Sequence, residues 1–130
     1  MGWRKMELAE EQGKQIEEVA LSYLGREYRI DFNCRDFVEM VYSQVGMPMP
    51  LRRLNITREE LENPPVGHII FLRHKGAPRH KVSTHVGIII SGKRCIHNSY
   101  YFGKQVVVTS FEELFKVYDL AICYPETNLF

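Results

Sequence analysis

The sequence predicts an α+β fold in which N-terminal helices pack on a central antiparallel sheet. Three observations carry that expectation. Helical periodicity dominates the first part of the chain, up to about Val45. Short β-branched runs separated by turn residues dominate from Val66 onward. Between the two regimes, Asn33-Cys34-Arg35-Asp36-Phe37-Val38 places a cysteine at the mouth of an amphipathic helix.

The first helix is marked by Leu8, Gln12, Ile16, Val19, Ala20, Tyr23 and Leu24, with charges on the other side and Gly25 as a stop. A link of mixed polarity, Arg26 to Phe32, delivers the chain to Cys34. In the second helix Phe37, Val38, Val41, Tyr42 and Val45 form the buried stripe. Asn33 is its N-cap, Asp36 adds a carboxylate to the first turn, and Gly46 then Pro48 close it. Cys34 therefore stands where unpaired backbone N–H groups and the positive end of the helix dipole converge, a placement that favours the thiolate.

Met47 to Pro50 is a loop, and Thr57-Arg58-Glu59-Glu60 is a capping-box pattern that predicts a short helix ended by Asn63-Pro64-Pro65. A strand follows over His68 to Leu72, then a polar loop, Arg73 to Ser83, with Arg73, Lys75, Arg79, Lys81, His74 and His80. Such a loop either lies solvated or steers an anionic ligand. Thr84 to Ile90 is an apolar strand, Ser91-Gly92-Lys93 a turn, and Arg94 to Ser99 the returning strand of a hairpin. Gln105 to Thr109 predicts another strand, and Ser110-x-x-Glu113 opens a short helix over Phe111 to Phe115. A last strand runs from Val117 to Tyr124, and Pro125 ends it.

The 130 residues fit one domain, 1–130, without repeat, linker or low-complexity tract. With 17 Lys+Arg against 16 Asp+Glu, nothing in the global charge points to nucleic acid, and no basic stripe with interleaved aromatics is present. Cys34, Cys95 and Cys123 show no CxxC spacing, so a disulfide framework is not expected and a reduced compartment is favoured. No signal peptide and no membrane-spanning run is visible, which makes the expected location cytoplasmic, with release by another route or a phage particle as further settings. The five histidines fit no compact zinc spacing, so neither a metal nor another cofactor is expected. The sequence carries no signal for oligomeric state.

A thiol nucleophile needs a base and an orienter for that base. His85 opens the first strand of the hairpin and His97 lies on the second. If the hairpin turns tightly near Gly92, His85 opposes the neighbourhood of His97 and Ser99, and the two imidazoles come within reach of each other. Cys34, His85 and His97 are thus a candidate catalytic set. Alternatives stand beside each: Cys34 as a core cysteine, His97 as a strand-capping side chain. Cys95 shares a strand face with His97 but has no base assigned, and Cys123 sits in an apolar strand; both suit the core. Asn98 and Ser99 either hydrogen-bond near the site or end the strand.

At these residues the sequence resembles the NlpC-like cell-wall peptidases, small papain-like cysteine enzymes. Asn33-Cys34-Arg35-Asp36-Phe37-Val38 corresponds to the family's Asp-Cys-Ser-Gly-Phe-Val, and Val66-Gly67-His68-Ile69-Ile70-Phe71-Leu72 to its Pro-Gly-Asp-Leu-Val-Phe-Phe. His85-Val86-Gly87-Ile88 matches its base motif letter for letter, and Ile96-His97-Asn98 matches the stretch of its third polar residue. The resemblance covers roughly Ala20 to Tyr124.

It implies a papain-like NlpC-type fold and a Cys-His-His triad, with Cys34 attacking an amide carbonyl, His85 as base and then acid, and His97 as orienter. Tyr28-Arg29 resembles the family's upstream tyrosine segment, so Tyr28 would polarise the carbonyl together with the cysteine's own N–H. The implied substrate is a peptidoglycan stem peptide cut between D-glutamate and diaminopimelate or lysine. The chain departs from the pattern at substrate-reading positions: Asn33 and Arg35 flank the cysteine in place of Asp and Ser, Asp36 replaces a glycine and is placed to pair with Arg35, and His68 replaces an acid. Three readings follow: an amidase or peptidase, the same machinery acting as a deacylase, thioesterase or acyltransferase, and a non-catalytic binding module. The partner is a peptide or acyl substrate, with peptidoglycan fragments first.

Overall fold

A computed structural model describes residues 3–5, 10–48, 62–77, 84–122 and 126–128, with side chains described over 10–48, 62–77 and 84–118. The expected helix at Thr57–Glu60, as well as Leu8, Arg79, His80, Lys81, Cys123 and Pro125, lies outside the described residues. The elements are β1 (Trp3–Lys5), α1 (Glu10–Leu21), α2 (Cys34–Gln44), β2 (Ile69–His74), β3 (His85–Ile90), β4 (Arg94–Ser99), β5 (Gln105–Ser110), α3 (Phe111–Val117), β6 (Tyr118–Ile122) and β7 (Glu126–Asn128). Five strands form one antiparallel sheet in the order β5-β4-β3-β2-β6. A second sheet, β1 with β7, joins Trp3 to Asn128; neither of its strands has the alternation that would have marked it in the sequence. No described helix is long and apolar enough to cross a membrane.

The sheet carries two cores, one on each face. On one face α1 and α2 contribute Ile16, Ala20, Phe37, Val38 and Val41, packed on Ile69, Val86, Ile88, Ile90 and Ile96. On the other, Ile70, Leu72, Ile89 and Cys95 meet Phe111 and Leu114 of α3, and Tyr118. Adjacent residues of a strand point to opposite faces, so β3 supplies both cores and is buried along its whole length. That two-sided burial is why its sequence is a continuous apolar run rather than an alternation.

Local chemistry sets the helix limits. Gly13, in the first turn of α1, is there for space: a Cβ would lie 2.5 Å from the Val66 carbonyl oxygen. It holds the buried position that the sequence pattern assigned to Gln12, which is exposed. At the end of α2, Gly46 (φ 74°) takes the left-handed conformation, with Gly46 N–H donating to the Ser43 carbonyl and Met47 N–H to the Tyr42 carbonyl. This is the paired closure of a Schellman motif. Ser110 Oγ accepts from the Glu113 N–H and starts α3, as its capping pattern predicts.

Candidate active site

The segment after α1 is not a free link. Gly25 N–H donates to the Val106 carbonyl, Val106 N–H to the Arg26 carbonyl, and Tyr28 N–H to the Lys104 carbonyl. The chain is thereby laid along the edge of β5, and a tight reversal from Arg29 to Phe32 turns it into Asn33. Asn98, buried on β4, donates from Nδ2 to the Phe32 carbonyl at 2.8 Å and so anchors the turn to the sheet. Asn98 therefore positions the backbone that carries Cys34.

Asn33 is the N-cap of α2. Its Oδ1 accepts the N–H groups of Arg35 and Asp36, each at 3.0 Å, and its own N–H donates to Asp36 Oδ2 at 3.0 Å. This reciprocal box engages the Asn33 side-chain amide oxygen in holding the helix start. It also corrects the expected pairing of Arg35 with Asp36. The Asp36 carboxylate turns back to the cap, and Arg35 pairs instead with Glu39, one helical turn on, at 2.9 Å. Arg35 remains exposed beside the cysteine.

Cys34 is half-buried at the first position of α2. Backbone N–H groups of Val86, Arg35 and Cys34 itself pull its thiol pKa down, but burial outweighs them and the net direction is up. The helix N-terminus alone would favour a thiolate; desolvation of the sulfur by the surrounding core reverses that. The Val86 contact also locates Cys34 over the start of β3, at the residue next to His85.

His85 and His97 meet as the tight hairpin requires. Ile88 pairs with Ile96 and Ile89 with Cys95, and the same register carried outward brings Gly87 opposite His97. His85 Nε2 lies 2.6 Å from His97 Nδ1, and both rings are buried. Gly87 makes that contact sterically possible. A Cβ there would lie 2.5 Å from Cys95 Sγ and 3.0 Å from His97 Cβ. Burial and the proximity of His97 and His74 hold the His85 pKa well below the ordinary imidazole range. Burial pushes that of His97 down to about 4. Both rings are therefore neutral at pH 7. With Nε2 of His85 engaged by His97, its Nδ1 is the ring nitrogen not taken up by that contact.

Three partners of this pair carry no motif in the sequence. Thr109 Oγ1, on β5, stands 2.8 Å from His97 Nε2. The Tyr118 ring stacks on His85 with centroids 5.0 Å apart and planes 10° from parallel. His74, expected in a polar loop, instead ends β2; its Nδ1 lies 2.7 Å from Thr84 Oγ1 and its ring packs against Tyr101 and Tyr118. Strand order alone brings them together, since β2 lies between β3 and β6 and β4 lies between β3 and β5. Burial raises the Tyr118 phenol to about 12, and Ser99 is its hydrogen-bonding partner.

Tyr28 sits on the Cys34 side. Burial raises its phenol pKa, and the charges of Cys34 and Asp36 raise it further, which marks it as a near neighbour of the sulfur. Its ring meets Tyr100 edge-on at 5.9 Å. His68 is not at this site. It is buried at the start of β2, where Ile89 N–H donates to its carbonyl, and it lines a cavity of about 460 Å³ with Glu10, Lys14, Glu17, Pro65, Val66 and Ser91. Ser91 follows the far end of β3, so this cavity and the histidine pair occupy opposite ends of the strand. Cys95 is fully buried, and burial drives its thiol pKa far up, as befits a core residue. Among the described residues, no three His, Cys, Asp or Glu side chains gather as metal ligands.

No protein-family model matches the sequence, and no curated protein is significantly similar to it. Solved structures do match. The NlpC/p60 domain of the peptidoglycan hydrolase SagA superposes with a TM-score of 0.61 at 23% identity, over 85% of this chain and 97% of that one. An NLP/P60-family protein from Staphylococcus aureus subsp. aureus Mu50, described as similar to lipoprotein, gives 0.69 at 20% identity, over 92% and 43%. NlpC1 from Trichomonas vaginalis gives 0.70 at 20% identity, over 95% and 48%. The chain spans less than half the length of the latter two. The fold is that of the NlpC/p60 domain, the papain-like α+β architecture that the sequence resemblance implies.

Proposed function

We propose that this protein is a divergent NlpC-like cysteine hydrolase that cleaves an amide bond, its substrate a peptidoglycan stem peptide cut after D-glutamate. The observation that carries the proposal is the buried 2.6 Å contact between His85 and His97 beside the residue that contacts Cys34. It supplies a neutral base oriented by a second ring, next to a sulfur at a helix N-terminus. The peptidoglycan hydrolase among the structural neighbours supports the substrate class.

In the proposed reaction, His85 Nδ1 takes the Cys34 proton as Sγ attacks the carbonyl carbon. The developing oxyanion is held by the Cys34 N–H and the Tyr28 hydroxyl. Collapse breaks the C–N bond, and His85 returns the proton to the leaving amine. Water then attacks the thioester, His85 again takes a proton, and Cys34 leaves as the acid product is released. The resting pair is thiol and neutral imidazole, because burial opposes charge on both.

Turnover of stem-peptide fragments, followed by mass spectrometry, tests this. Cys34→Ala is expected to lower it at least roughly a thousandfold, and His85→Ala to slow iodoacetamide labelling of Cys34 at neutral pH. At high pH the two labelling curves converge, since the thiol then ionises without a base. Hydrolysis that survives Cys34→Ala overturns the proposal. Turnover of acyl esters with none of the fragments moves the same machinery to an acyl substrate.

A further inference from the structure

We infer that Thr109 is a positioning residue that fixes the tautomer of His97 and thereby leaves His85 Nδ1 bare for the Cys34 proton. The inference rests on the reaction proposed above and extends it to a residue outside the triad. Thr109 is buried on β5, and its Oγ1 lies 2.8 Å from His97 Nε2. His97 Nδ1 lies 2.6 Å from His85 Nε2. The three groups form one chain of two hydrogen bonds, and a neutral His97 has a single N–H to place in it.

Only two arrangements are possible. If His97 is protonated on Nδ1, it donates to His85 Nε2, and neutral His85 must bear its proton on Nδ1. The base is then blocked. Once His85 became an imidazolium, two N–H groups would also face each other across 2.6 Å. If His97 is protonated on Nε2, its Nδ1 accepts from His85 Nε2–H, and His85 Nδ1 keeps its lone pair. That arrangement survives protonation of His85 unchanged. It requires an acceptor for the buried His97 Nε2–H, and the Thr109 hydroxyl oxygen, with its two lone pairs, is placed to be that acceptor.

Among the described residues, the groups around this pair give no substitute. It is faced by His74 from β2, His97 from β4 and Tyr118 from the start of β6. From α2, Cys34 contacts the backbone of Val86, the residue next to His85, and Tyr28 lies near Cys34. His97 has Phe102 against its ring, an apolar neighbour that offers no acceptor. The choice of tautomer therefore falls to the hydroxyl on β5.

Nitrogen-15 NMR of the histidine rings reads the tautomer directly. Wild-type His97 is expected to carry its proton on Nε2. Thr109→Val, which keeps shape and removes the acceptor, shifts the population toward Nδ1–H. In the same variant, Cys34 alkylation at neutral pH slows about tenfold and its pH profile moves up by about one unit. Thr109→Ser, which restores an oxygen, returns both readouts to the wild-type values. Wild-type His97 protonated on Nδ1 overturns the inference, as does a Thr109→Val protein whose alkylation profile coincides with wild type. Should Thr109→Val fail to fold, the wild-type spectrum and Thr109→Ser still decide. A failure of the underlying reaction looks different: His85→Ala leaves Cys34 labelling unchanged, while the His97 spectrum still reports whether Thr109 sets the tautomer.

Discussion

The two faces of the central sheet are built from the same strands and solve different problems. On the face toward α1 and α2, almost every buried residue is aliphatic or aromatic, and the helix stripe meets the strand residues in a conventional core. The opposite face also has a core, around Leu72, Ile89, Leu114 and Tyr118, but His85, His97 and Thr109 are set into it. Each of these polar groups is buried with a partner, as burial demands. One face thus stores stability and aims the cysteine helix. The other gives up some apolar packing to hold two neutral imidazoles in a fixed relation.

Substitutions can separate these roles. The largest expected effect on stability is on the helix face. Ile88→Ala removes a fully buried side chain and should cost about 2–5 kcal/mol in denaturant unfolding. The folded fraction should keep the wild-type pH profile of Cys34 labelling. A changed profile would mean that the two faces are not independent.

On the histidine face the signature is pH. His97 is held at about 4 against an ordinary 6.5, so between those values the unfolded chain binds the extra proton. Stability then falls as pH drops through that window, by about 3 kcal/mol from His97 alone. His85, depressed by the same burial, acts in the same direction. Unfolding free energies of His97→Gln, measured from pH 7 to pH 4, should show a flatter decline than wild type. Parallel curves would refute a neutral buried His97.

The smallest effect concerns the junction between the faces. Asn33→Ala removes the acceptor for the Arg35 and Asp36 N–H groups and should cost about 1 kcal/mol. Because α2 aims Cys34, slower Cys34 labelling is expected alongside a modest loss in melting temperature. An unchanged labelling rate would show that Asn98, rather than the cap, holds the cysteine turn.

The parts of this molecule that were legible in sequence are those governed by local rules. Asn33 with Asp36, Gly46, and Ser110 with Glu113 are capping signals that act within one turn, and each marks a boundary that the structure shows. The tight turn at Gly92 fixed the hairpin register, and that register alone brings His85 to His97. Periodicity places Gln12 on the buried stripe because it weighs residue type and not clearance; Gly13 fits where α1 touches Val66, and a side chain does not. Adjacency suggests Asp36 as the partner of Arg35, whereas on a helix the neighbour lies one turn away, at Glu39.

The sequence alone determined the helices at Glu10–Leu21, Cys34–Gln44 and Phe111–Val117 and the hairpin that brings His85 to His97, because caps, turns and periodicity are settled between residues close along the chain. Only the tertiary structure decided that Thr109, Tyr118 and His74 surround those histidines, since three different strands must pair in order before they meet. It also decided the protonation of the site. A helix N-terminus pulls the Cys34 thiol toward the thiolate, but the core that closes around it pushes harder in the other direction. Desolvation sums over everything packed near an atom, and no local pattern of residues records that sum.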